Sequence, residues 1–111
     1  MKFSVLQTFA LSRPEVTQAP HHHMNPFWVA GKIFVTVVPD QSHIHVFLAE
    51  PRREQALALY PPYAEKLFRG SKVAGLRVSP GKAPAGWVKP VVRQAWANKA
   101  PKRLLTDESQ S

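Results

Sequence analysis

Phe27-Trp28-Val29-Ala30-Gly31-Lys32-Ile33-Phe34-Val35-Thr36-Val37-Val38 is the densest aromatic and β-branched run in the chain, and one glycine breaks it. Residues of this kind suit a pleated, half-buried surface. The stretch therefore reads as a β-hairpin that turns near Gly31, with Lys32 beside the turn. On the first arm Phe27 and Val29 face one way and Trp28 and Ala30 the other. On the second arm Ile33, Val35 and Val37 oppose Phe34, Thr36 and Val38. Apolar residues on both faces predict a central position, with at least partial cover on each side.

The flanking segments read as elements that pair with this hairpin or cover it. Before it, Phe3, Leu6 and Ala10, with Phe9 beside them, keep helical spacing over Lys2 to Ser12. Pro14 closes that helix. Glu15 to Ala19 fits a short edge strand with Val16 facing in. Pro20, three histidines, Asn25 and Pro26 then form an irregular connection.

After the hairpin, Pro39 to Ser42 is a turn by composition. His43 to Ala49 is a strand antiparallel to Ile33–Val38, with Ile44, Val46 and Leu48 on one face and His43, His45 and Phe47 on the other. Glu50-Pro51 opens a second helix, whose stripe is Ala56, Leu57 and Tyr60 and whose wet face holds Arg52, Arg53 and Glu54. Pro61-Pro62 ends it.

Tyr63 to Phe68 reads as irregular chain leading into a short strand, and Gly70-Ser71 as a turn. Lys72 to Ser79 is a strand in which Gly75 marks a bulge. Pro84 to Lys99 is a last helix with Val88, Val91, Val92, Ala95 and Trp96 on one face and Lys89 and Arg93 on another. Pro90 requires that this helix start near it or kink there. Pro101 stops the helix, and 106–111 read as a disordered polar tail after a single domain over 1–105. The order predicts an α+β, two-layer domain: a twisted antiparallel sheet with helices packed on one face.

Bulk composition narrows the function classes. The 111 residues include no cysteine, which excludes thiol catalysis, zinc–thiolate sites and disulfides. No window reaches the ~18 apolar residues of a membrane span. Gln7 and Thr8 interrupt the first apolar patch, against a signal peptide. A cytoplasmic monomer with no membrane partner is expected.

The charge is unevenly spread. Residues 1–65 hold five basic and five acidic groups, whereas 66–105 hold ten basic groups and no acid, and Asp107 and Glu108 bring the total to +8. Ordinary solvated faces mix signs, so this run suggests a polyanionic partner.

Phe27-Trp28-Val29-Ala30-Gly31-Lys32-Ile33-Phe34 resembles the Phe-x-Val-x-Gly-Lys-(Ile/Leu)-Phe hairpin of the MmcQ/YjbR proteins. Pro14-Glu15-Val16 and Pro20-His21-His22 look like that family's lead-in. Ala95-Trp96 and Ala100-Pro101-Lys102-Arg103-Leu104 look like its C-terminal helix and the segment after it. The likeness spans Phe3 to Leu105 and is specific for fold, because no motif in it is catalytic.

The resemblance implies a CyaY-like fold and binding of DNA through a double wing. Two departures stand out: Leu76 follows Gly75 where many relatives carry tryptophan, and Pro90 lies inside the expected last helix. The iron-binding frataxin branch uses an acidic first helix. Here no acid precedes Glu15, so iron binding is not implied.

The candidate nucleic-acid contacts are Lys32, Lys66, Arg69, Lys72, Arg77 and Lys82, with Trp28 as a surface for stacking. Lysine and arginine on phosphates supply most sequence-independent affinity. Two basic hairpins, at Gly31 and Gly70, would form wings that straddle a backbone. Trp28 can stack on a base or cap the sheet, and capping is the commoner use of such a residue. Trp87 and Trp96 read as helix packing.

His21, His22, His23, His43 and His45 lack a carboxylate or thiol placed to complete a metal site, so no metal or cofactor is expected. No nucleophile–base pair or phosphate loop is legible, so no catalytic residue is assigned and the chain reads as a non-enzyme. The expected function is binding of double-stranded DNA with little sequence readout. The alternative is a protein-interaction or small-ligand module whose basic face meets an acidic partner.

Overall fold

A computed structural model describes residues 1–58 and 61–110. Among these described residues four helices and six strands follow in the order α1 (Phe3–Leu11), β1 (Val16–Gln18), β2 (Phe27–Val29), β3 (Lys32–Val37), β4 (Ile44–Val46), α2 (Arg52–Leu57), β5 (Ala64–Arg69), β6 (Lys72–Val78), α3 (Ala85–Lys99) and α4 (Lys102–Gln110). The strands form one antiparallel sheet in the order β1-β2-β3-β4-β6-β5. The expected two-layer α+β architecture is what the chain adopts. Among the described residues no helix is long and apolar enough to cross a membrane.

The hairpin sits at the middle of the sheet. Val29 pairs with Lys32, so the turn is the two residues Ala30 and Gly31, at φ 50° and 76°. Two positive φ values in a two-residue loop give the primed turn, whose twist matches that of the flanking strands. The expected alternation on β3 fails at a bulge. Phe27 pairs with Val35, yet Trp28 pairs with Ile33, so Phe34 is left over. Phe34 and Val35 are both fully buried, and the Phe34 ring lies 6.4 Å from that of Phe27. Ile33 is thereby turned to the face of Trp28, opposite Val35 and Val37. Burying a Phe side chain is worth roughly 2–3 kcal/mol, more than the ~1 kcal/mol of a ladder hydrogen bond lost at the bulge.

The helix layer covers the face that carries Phe27, Val35, Val37, Ile44, Val46, Leu76 and Val78, all buried. α3 lies over β3 and β4 and packs against α1. It contributes Val88, Val91, Val92, Ala95 and Trp96, the face read from the sequence. Pro90 lies inside this helix, at an exposed position. Gly86, whose carbonyl loses its partner to the proline, is exposed too, so water can serve that carbonyl.

Four expectations are corrected. Residues Ala64–Arg69, read as mostly irregular, are a full edge strand whose exposed charges (Glu65, Lys66, Arg69) suit an unpaired edge. Arg53 is not wet but buried. Its guanidinium donates to Glu50 Oε1 at 2.8 Å and to the Val73 carbonyl at 3.3 Å, which ties α2 to β6. The strand expected over His43–Ala49 is formal only at Ile44–Val46, although Leu48 beyond it is buried. The segment read as a polar tail continues α4, which is anchored by buried Leu104. Tyr60, expected on the α2 stripe, and Ser111 lie outside the described residues.

The bulge expected near Gly75 is present: Leu67 pairs with Gly75 and Phe68 with Val73, which leaves Ala74 over.

Candidate nucleic-acid interface

Register places the two turns. Val35 is level with Val46, and Val46 with Leu76, so β3 and β6 run the same way on either side of β4. Their first residues, Lys32 and Lys72, therefore lie at the same end of the sheet. β4 stops at Val46, short of that end. Two interstrand spacings put β3 and β6 about 10 Å apart. The Ala30–Gly31 and Gly70–Ser71 turns thus project as a pair with a gap between them. Gly70 supplies a positive φ of 61° at the first position of its two-residue turn, which glycine adopts without strain.

Between the turns the helix-free face of the sheet is concave, with a volume of about 600 Å³. Its lining runs from Gly31 at one turn to Arg69 beside the other. The floor comes from strand positions that the register assigns to this face: Trp28, Ile33, Thr36 and His45, with Phe47 just past β4. Lys99, from the end of α3, also lines it, and the neighbouring Asn98 amide reaches the Phe47 carbonyl at 3.5 Å. Among the described residues no acid lines this concavity.

Several of these side chains are held in place. Trp28 is half-buried, its Nε1 donates to the Ala19 carbonyl at 3.0 Å, and His21 meets its ring edge-on at 5.6 Å. The Arg69 guanidinium lies 5.3 Å from the centre of the Phe47 ring, a cation–π contact. His45 is held below the ordinary histidine range, first by burial and then by the positive charge of Arg77, His43 and Arg69. It is accordingly neutral near pH 7 and can donate at one ring nitrogen and accept at the other.

The structure divides the candidate contacts. Arg69 and Lys72 are register partners at the second tip, both exposed and on the concave face. Lys32 is exposed at the first tip, but it pairs with buried Val29 and so leaves the sheet on the helix side. Trp28 lies in the concave floor. Lys66, the register partner of buried Leu76, is on the helix side, with its Nζ 3.6 Å from Glu54. Arg77 is on the concave face but donates to Glu65 at 3.0 Å, an acid that the charge count placed just outside the basic run. Lys82 follows the far end of β6, in a turn whose Pro80 and Ala83 carbonyls accept from the Met1 ammonium. It cannot act together with the tips.

Sequence reasoning missed Lys99, since nothing in a helix's last turn announces what stands opposite it in space. The histidines do not gather as ligands: among the described residues no three of His, Cys, Asp and Glu are placed to hold a metal ion. No family model, curated protein or solved structure matches this chain.

Proposed function

We propose that this chain is a non-catalytic binder of double-stranded DNA that grips phosphates with little sequence readout. One observation carries the reading: both hairpin turns leave the same end of the sheet, with cations at each tip and, between them, a concavity that no acid among the described residues lines. Lys32 serves one strand of phosphates, Arg69 and Lys72 the other, and Lys99 the gap. The likeness of Phe27–Phe34 to the MmcQ/YjbR hairpin supports the same reading, and the absence of cysteine suits a cytoplasmic setting.

Three of the six cations read from the sequence do not serve this grip. Lys66 and Arg77 are held by Glu54 and Glu65, and Lys82 is remote. Four phosphate contacts at about 0.9 each give a log–log salt slope near −3.6. Fluorescence anisotropy on a labelled 20-base-pair duplex measures it. Lys32→Glu with Lys72→Glu should flatten the slope by roughly 1.8 and weaken binding at least tenfold at low salt. Lys82→Glu should leave the slope unchanged. No duplex binding at low salt, or equal effects of tip and Lys82 substitutions, would overturn the reading.

A further inference from the structure

The concave floor is richer than a phosphate clamp requires. A duplex gripped only by its backbone needs cations at the two tips. It has no use for an indole and a phenyl ring left half-buried on the sheet face opposite the helix layer. From this we infer that the concavity seats one unpaired nucleotide of the bound DNA, its base against Trp28 and Ile33 and its phosphate at Arg69.

The dimensions suit such a guest. About 600 Å³ lies within the usual range of small-ligand sites, and the lining combines apolar walls with a few convergent polar groups. Trp28 is already fixed by its bond to Ala19 and by His21, so stacking on it costs little ordering. The Thr36 hydroxyl and a neutral His45 stand side by side as register partners, and both offer hydrogen bonds to a base edge. Arg69 lies over Phe47 in the lining of the concavity, beside the second turn, which puts a guanidinium where a phosphate can be met. Paired bases cannot reach this floor, because their faces are stacked within the helix.

This inference rests on the DNA reading above and adds to it a partner class: duplexes that contain an unpaired base. The test compares a blunt duplex with the same duplex carrying a single-thymidine bulge, by anisotropy at fixed salt. One stacked base is worth about a 5- to 160-fold gain in affinity. The bulged duplex should bind tighter by at least the lower figure, and Trp28→Ala should make the two affinities equal. Indole quenching in the unmodified protein gives a readout that does not depend on the variant's folding: Trp96 is fully buried and Trp87 is held in α3 against Tyr63 and the Ala56 carbonyl, away from the concavity, so stacking on Trp28 should quench part of the emission with the bulged duplex and not with the blunt one. Equal affinity for both duplexes, without added quenching, overturns the inference and leaves the clamp standing. Absence of binding to either duplex overturns the clamp itself. In that case, titration with thymidine monophosphate decides the pocket: saturable quenching retains the nucleotide site, and none removes it.

Discussion

Gly75→Ala should be among the most damaging single-methyl additions available in this chain. Gly75 is buried in β6 beside β4. A Cβ built there overlaps the Val46 carbonyl oxygen, and it lies 3.0 Å from both Val46 C and Phe47 Cα, where ordinary contact begins near 3.4 Å. All three are backbone atoms, so no rotamer change relieves them. Either β4 moves away from β6 or β6 distorts at its bulge. Overpacking costs roughly 1–3 kcal/mol where side chains can adjust. Here they cannot, and a loosened ladder bond adds about 1 kcal/mol, for a total of roughly 3–4 kcal/mol.

For a domain of this size about 4 °C of Tm is lost per kcal/mol, which predicts a fall of about 12–16 °C. Circular dichroism melts measure it, with Gly86→Ala as the control. Gly86 lies in the first turn of α3 with nothing within 4 Å of an added Cβ. That change should leave Tm unchanged or raise it by up to about 4 °C, because alanine is the better helix former by up to ~1 kcal/mol. A Gly75→Ala Tm within 3 °C of the parent protein would refute the close approach of β4 and β6.

Arg53→Met should cost about 1–2 kcal/mol in urea titration, since it removes the bonds to Glu50 and the Val73 carbonyl but leaves Glu50 on the surface, where water can take the carboxylate; an unchanged midpoint would show that Arg53 does not fasten α2 to β6. Glu65→Gln should strengthen duplex binding and steepen the salt slope by about 0.9, because it releases Arg77 on the concave face; an unchanged slope would place Arg77 outside the interface. Burial and neighbouring cations hold the folded-state pKa of His45 below 6.5, so the unfolded chain takes up the proton first as pH falls. The stability that neutral His45 contributes is thus present above pH 6.5 and is lost as pH drops through that value toward the folded-state pKa. His45→Gln should flatten the fall in Tm between pH 7.5 and 5.5, and identical pH profiles in the two proteins would contradict the assignment.

The legible parts of this protein were those governed by local pattern. The Phe27–Val38 run encodes a hairpin because its β-branched and aromatic residues suit a pleated surface and Gly31 accepts positive φ. The 3.6-residue spacing of Val88, Val91, Val92, Ala95 and Trp96 encodes the face of α3, and Pro14 and Pro101 mark helix ends by geometry that travels with the residue. Period and turn chemistry are properties of neighbouring residues, so they survive in one dimension.

What only tertiary structure decided was which side chains meet. The bulge that sends Phe34 inward and Ile33 outward depends on how β2 pairs with β3, and a strict two-residue alternation cannot foresee it. Arg53 reads as a solvated cation until α2 is laid against Val73 and Glu50. The basic run looked like one patch because charge was counted along the chain. Folding then sent Lys66 to the helix side, paired Arg77 with Glu65, left Lys82 at the far end of β6, and brought Lys99 to the gap. A net charge belongs to the sequence. A binding surface is a set of distances, and register, bulges and the order of strands in the sheet set those distances.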